Sequence, residues 1–190
     1  SEQAQTIGAG AFENCKSLRT LSGTFYYIKE IPEECFKGCS ALQSIGGFSK
    51  LERIGKSAYE GCTSLTSVGF NEFMESIGES AFEGCTNLKK VSLGYFMTSV
   101  EDRAFADTGV ESLTINKKLL SIGKEAFLNT PLESVEVPRN VVGIETLAFG
   151  YTGTPENPVK NNSFRITAPE NTPAHRYAEE NGLVWENPNA

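Results

Sequence analysis

Four of the five cysteines, Cys15, Cys39, Cys62 and Cys85, are spaced by 23 or 24 residues. Thiols at regular spacing can form disulfides, bind zinc or lie as inert core groups. A zinc site needs ligands that converge on one point, whereas an even spacing spreads them along a line. Rungs of a stacked chain lie about 4.8 Å apart, within the Cα range of a disulfide, so cross-linking stays open. The opposing observation is that Thr108, Thr130 and Thr152 take the same place further along. Cys and Thr share small size and a weak donor. That exchange favours reduced, buried thiols whose S–H or O–H groups bond backbone carbonyls at a turn. Cys35 stands outside this series and reads as a small core residue.

Other reactive types are sparse. The single histidine, His175, has no cysteine beside it in sequence, so a Cys–His nucleophile pair is unsupported. Serine- or threonine-based triads lack a base for the same reason. Glu79, Glu83, Glu101 and Asp102 read as solvated surface rather than a paired acid and base. Gly8, Gly55, Gly78 and Gly123 recur at even spacing, unlike a phosphate loop, and read as turn positions with special backbone angles. The residues therefore supply no catalytic group, no metal ligand set and no cofactor site.

These residues are positioned by a phrase that recurs seven times. Ile77-Gly78-Glu79-Ser80-Ala81-Phe82-Glu83-Gly84-Cys85, followed by Leu88 and Val91, is its clearest copy. The frame begins at Ile7, Ile31, Ile54, Ile77, Val100, Ile122 and Ile144, in steps of 22 to 24 residues. Such a period means a solenoid, in which each unit is too small to bury its own apolar face and stacks on its neighbours. Leu65-x-x-Val68-x-Phe70 and its equivalents alternate as a half-buried strand does, so one parallel sheet is expected. The connection that follows carries one apolar residue three places before the frame Ile: Leu51, Met74, Met97, Leu119, Val141. Ala81-Phe82 and its counterparts then predict a small residue where coils approach and an aromatic that fills the core. The residues around that pair have room for a helical turn only.

The pattern Ile-Gly-x-x-Ala-Phe-x-x-Cys-x-x-Leu-x-x-Val resembles the BspA-type leucine-rich repeat of bacterial surface proteins. The resemblance covers about residues 7–152 and implies an α/β solenoid. That is a right-handed leucine-rich-repeat superhelix with one parallel sheet, short helical turns and a C-terminal capping helix. It further implies extracellular or cell-surface placement and adhesion to host or microbial macromolecules, and it supplies no catalytic residue.

The chain of 190 residues reads as one leucine-rich-repeat domain, 1–190, with repeats over about 7–152 and a C-terminal strand and cap over 153–190. Thr154-Pro155-Glu156-Asn157-Pro158 is a loop insertion, and Phe164-Arg165-Ile166 a strand-like return. Thr172 reads as an N-cap, Pro173 as the first helical residue, Gly182 as the stop, and Leu183-Val184-Trp185 as a last short strand. The other end starts at Ser1-Glu2-Gln3, inside a repeat, which predicts a processed form or a piece of a longer protein with a raw edge to pair. With 39% apolar and 22% charged residues and a net charge of −7, nucleic acid is a poor partner, because no basic stripe is present. No apolar run approaches the roughly 18 residues of a spanning helix, so membrane insertion is not expected.

Two surfaces remain for recognition. The outward strand positions are Thr20 and Ser22, Ser44 and Gly46, Ser67 and Gly69, Lys90 and Ser92, Ser112 and Thr114, Ser134 and Glu136. They are small and rich in hydroxyls, with few anchors. The connections after the strands carry Tyr26-Tyr27, Phe73 and Tyr95-Phe96, where related repeats are polar, as Pro138-Arg139-Asn140 is. These rings either line one rim as a binding site or fold back over the core edge. Phe25 and Phe48 have room to turn inward, since Gly23 and Gly47 leave a core position empty. The expected role is non-catalytic binding of a protein partner, with glycan binding by the rim or a spacer role in a larger surface protein as alternatives.

Overall fold

A computed structural model describes residues 4–21 and 25–189. Along the chain run β1 (Glu30–Ile31), β2 (Ser44–Ile45), β3 (Arg53–Ile54), β4 (Ser67–Val68), β5 (Ser76–Ile77), β6 (Lys90–Ser92), β7 (Ser99–Val100), β8 (Ser112–Thr114), β9 (Ser121–Ile122), β10 (Ser134–Glu136) and β11 (Gly143–Ile144). They are followed by β12 (Tyr151–Thr154), β13 (Asn157–Lys160), β14 (Arg165–Thr167), α1 (Pro173–Asn181) and β15 (Val184–Glu186). The chain winds as a leucine-rich-repeat solenoid, with frame residues in register from coil to coil: Ile31 on Ile54, Ile77 on Val100, Ile122 on Ile144.

Three hydrogen-bonded segments tie each coil to the next. The alternating residues form the expected parallel ladder, in three pieces: β2-β4, β6-β8 and β10-β14-β15. A second parallel ladder, β1-β3-β5-β7-β9-β11, is continuous and ends each strand on the frame residue itself. Its strands are two residues long, too short to show alternation, so the segment reads in the sequence as a connection. The third segment is the run around the Ala-Phe pair, which is not a helix. The N–H groups of Cys35, Lys37 and Cys39 bond within the coil, to Pro32, Glu34 and Phe36. Those of Glu34, Phe36 and Gly38 donate instead to Lys56, Ala58 and Glu60 of the following coil. Alternate donors thus leave the coil, and left-handed residues such as Glu34 (φ 55°) and Gly38 (φ 71°) turn them outward. A helix would have used every donor internally.

The glycines after the frame residue have a different cause from the one expected. Gly55, Gly78 and Gly123 are absent from the positive-φ positions. A Cβ on Gly55 would stand 2.8 Å from Glu33 N, and one on Gly78 2.9 Å from Gly55 C. Close approach of successive coils requires them. Gly8, in the first described coil, would meet nothing within 4 Å.

The core is a pile of rings. Phe12, Phe36, Tyr59, Phe82, Phe105, Phe127 and Phe149 stack with centroids 5.1–5.3 Å apart, and all but Phe12 are buried. The coil rise sets this spacing, and the rings slide off centre to accept it. Ile28, Leu51, Met74, Met97, Leu119 and Val141 are buried beside them. At the C-terminal end α1 closes the pile as expected. Thr172 Oγ1 accepts from the His175 N–H, Pro173 stands in the first turn, and Gly182 ends the helix at φ 59°. Tyr177 Oη donates to Phe149 O at 3.0 Å, and burial pushes its hydroxyl up to about 12. The Thr154–Pro158 insertion is more ordered than a loop: it turns between β12 and β13, which pair antiparallel.

Candidate binding rim

The connection between an even strand and the next odd strand is a tight turn anchored on its fourth residue. The Ile28 N–H donates to Phe25 O, Met74 to Asn71, Met97 to Gly94 and Val141 to Pro138. Each anchor is buried. In such a turn the two central residues project away from the chain they join. Tyr26-Tyr27, Glu72-Phe73, Tyr95-Phe96 and Arg139-Asn140 occupy those positions. Tyr26, Tyr27, Phe73, Tyr95 and Phe96 are accordingly 46%, 55%, 43%, 62% and 44% exposed, so none of them folds into the core. Asn71 shapes one tip: its Oδ1 accepts from Phe73 N at 2.8 Å while its Nδ2 donates to Phe48 O of the preceding coil. Asn116 does the same for Lys118, with Oδ1 2.6 Å from Lys118 N.

The rings stand in two pairs. Tyr26 meets Tyr27 edge to face at 5.3 Å, and Tyr95 meets Phe96 at 5.0 Å. Between them on the rim are the tip residues Ser49-Lys50 and Glu72-Phe73. Lysines from the following coil cap the rings. Lys50 Nζ lies 4.5 Å from the Tyr26 centroid, and Lys118 Nζ lies 4.9 Å from Tyr95 and 4.1 Å from Phe96. Phe25 and Phe48 turn inward, stacked at 4.9 Å and half-buried against the core. Ser22 and Gly23 lie outside the described residues. Past Lys118 the rim opens into a cleft of about 550 Å³ lined by Ile115, Val137 and Pro138 together with Lys117, Glu136 and Arg139. These lysines escaped the sequence reading, although they recur at the same tip position as the rings.

The outward sheet positions are exposed as expected, from Thr20 and Ser44 to Ser134 and Glu136. The cysteines form a ladder of free thiols. Cys39, Cys62 and Cys85 donate to Phe12, Phe36 and Tyr59 O of the preceding coil at 3.0–3.1 Å. Cys15 is the exception: it is exposed, because no described coil lies against that side of it. Thr108 and Thr130 bond their own coil's carbonyls, Phe105 O and Phe127 O, since a hydroxyl reaches less far than a thiol. Thr152 leaves the ladder for β12 and donates to Val159 O. Cys35 is buried, and burial pushes its thiol up to about 12.

The acidic residues hold coils together. Arg103 chelates Glu83 through Nε and Nη2 at 3.1 and 2.7 Å and reaches Glu125 Oε2 at 2.6 Å. Burial alone would raise the Glu83 carboxyl, but hydrogen bonds from Arg103 and Ser80 hold it below its usual range. Glu101 accepts from Glu79 N, Asp102 accepts from Lys124 N, and Glu79 pairs with Lys56 at 3.0 Å. The His175 ring stacks on Trp185 at 4.0 Å, and its Nδ1 accepts from Asn171 N. Among the described residues no group of three or more His, Cys, Asp or Glu could hold a metal, and no helix is long and apolar enough to cross a membrane.

The family model described as BspA type leucine rich repeat region matches residues 1–72 and 29–155, with six copies. Among solved structures the chain is similar to a leucine-rich repeat protein from Bacteroides ovatus ATCC 8483. Identity is 25% and the TM-score 0.69, over 86% of this chain and 43% of that one. A leucine-rich repeat protein of T. pallidum is 20% identical with a TM-score of 0.62, over 95% of this chain and 78% of that one, and shares the fold. The chain thus spans less than half the length of the Bacteroides ovatus protein. No curated protein matches it.

Proposed function

The chain belongs to the BspA-type leucine-rich repeat family, and from that premise we propose that it is a non-catalytic module that binds a protein partner through its aromatic rim. One observation carries the reading: turn geometry holds Tyr26-Tyr27, Phe73 and Tyr95-Phe96 exposed at matching places of three coils. Large rigid rings contribute much contact area for little entropy, so binding energy concentrates on them. The hydroxyl-rich sheet face offers no comparable anchor. Members of this family are typically surface or secreted proteins of bacteria, which supports an extracellular or cell-surface setting for the module.

The test is a panel of purified extracellular-matrix and bacterial surface proteins beside a glycan array. A protein ligand is expected. Changing Tyr95 and Phe96 to Ser should weaken its binding by at least about 2 kcal/mol, roughly thirtyfold, with an unchanged melting curve. Ser67→Ala and Ser112→Ala should do little. If the serine changes abolish binding and the ring changes only lower stability, the sheet face is the site. Glycan binding that fails when Tyr26 and Tyr95 are changed would make the module a carbohydrate binder.

A further inference from the structure

We propose that the rim takes an acidic polypeptide segment, laid across Tyr95, Phe96 and Lys118, with an apolar side chain in the cleft between Lys117 and Arg139. The proposal rests on the rim being the binding surface and adds the chemistry of what it binds.

Charge distribution is the first support. The protein carries a net charge of −7, yet its turn tips carry Lys50, Lys117, Lys118 and Arg139 against the single carboxylate Glu72. Elsewhere most cations are neutralised locally, Lys29 by Glu52, Lys37 by Glu34 and Glu60, Lys56 by Glu79, Lys89 by Glu111, while Lys16, Arg19, Lys90, Lys160 and Arg176 are scattered exceptions. Among the described residues none of the four tip cations is in an ion pair. The sequence shows no basic stripe because these four cations are spread along it over separate turns; brought to one rim of an acidic molecule by the coil register, they complement a negative polypeptide and at low salt steer it there.

Ring geometry selects a polypeptide over an anionic sugar. Sugar stacking needs a bare ring face. Lys118 stands over both Tyr95 and Phe96, and each of those rings is edge to face with the other. What the rim offers instead is an ammonium beside apolar ring surface, which suits a carboxylate followed by an apolar residue. The cleft continues the same alternation. Ile115, Val137 and Pro138 give it an apolar lining, with Lys117 and Arg139 exposed beside them and Glu136 as the one carboxylate. An apolar side chain of a peptide would be desolvated there while its acidic neighbours met the two cations.

The experiment measures fluorescence anisotropy of the intact chain with three labelled probes. They are a short glutamate-rich peptide with one central leucine, the same peptide with lysine for glutamate, and a heparin oligosaccharide. The acidic peptide is expected to bind and the lysine peptide not to. Lys118→Glu combined with Arg139→Glu should lower its affinity at least tenfold, and so should raising salt from about 50 to about 500 mM. Lys90→Glu, an exposed cation on the sheet face, should leave it unchanged. Thermal melts of every variant check that the fold is kept. Heparin binding without peptide binding would overturn the proposal in favour of an anionic glycan. Equal loss with Lys90→Glu, or no binding of any probe, would also overturn it. If the Tyr95 and Phe96 changes still abolish capture of a protein ligand while the charge reversals do not, the rim stands and only the acidic partner falls.

Discussion

Tyr59 carries a hydroxyl into a pile otherwise made of phenylalanine rings. The Oη is buried and has no hydrogen-bond partner among the described residues, and burial pushes its pKa well above the ordinary value. An unpaired buried hydroxyl costs about 1–3 kcal/mol relative to a paired one. Tyr59→Phe should therefore raise the urea midpoint, by a stabilisation of about 1 kcal/mol. Phe82→Ala should do the reverse and cost roughly 3–5 kcal/mol; a loss below about 1 kcal/mol would mean that the ring is not a core filler. The thiols give a pH signature. Cys35 and Cys62 are raised by burial from the ordinary 9.0 to about 12. Between those values the unfolded chain releases protons that the folded chain keeps, so stability is full below pH 9 and falls as pH rises towards 12. Cys35→Ala, which installs the residue other coils use, should flatten that fall in chemical denaturation measured across the alkaline range. With an alkylating reagent at neutral pH, Cys15 should react and Cys39, Cys62 and Cys85 should not.

Elements of this chain are defined by what the neighbouring coil allows. Gly78→Ala would drive a Cβ against the backbone of Gly55 and Lys56 and should cost about 1–3 kcal/mol, the usual range for overpacking. Gly8→Ala meets open space and should be silent in the same denaturation assay. The repeat period, the ring pile, the buried anchors and the capping helix were all legible in the sequence, because each shows as a residue type recurring in register. The reason for the glycines was not. A recurring Gly looks the same whether it answers to a left-handed angle or to a close contact: Gly38, Gly61 and Gly84 hold left-handed angles, as do Glu34, Ser57, Ser80, Arg103 and Glu125, whereas Gly55, Gly78 and Gly123 do not. The two-residue ladder ending on the frame isoleucines was equally hidden, since two residues cannot display a period. At the rim the rings were visible as departures from the repeat. Lys50 and Lys118 were not, because a lysine at a polar tip is what a loop is expected to carry.

Across the whole molecule the two ends are held differently. Phe149 and its neighbours are closed by Tyr177 of α1 and by β15. At the other end Pro32 stands where later coils have Gly55, Gly78, Glu101, Gly123 and Glu145, whose N–H groups donate to the preceding frame residue. Proline has no N–H to give, so among the described residues the ladder of frame residues starts at β1, and the first described coil is tied along the other two segments. Those ties are the bonds of Gly10, Phe12 and Asn14 to Glu33, Cys35 and Lys37, and the bridge of Thr20 to Ser44. Hydrogen exchange should report the difference, with the Phe12 amide opening at least about tenfold faster than that of Phe82. Equal protection would mean that the missing bond carries no weight. Under tension the same asymmetry becomes mechanical. A chain pulled from its N-terminal side should yield coil by coil rather than all at once, because each coil is bonded only to its neighbours. The first coil should come away at low force, and resistance should rise abruptly when the load reaches β1. Each later step should release one repeat of 22–24 residues, roughly 8 nm of slack chain, so that a tether on this end would stretch in increments before it failed.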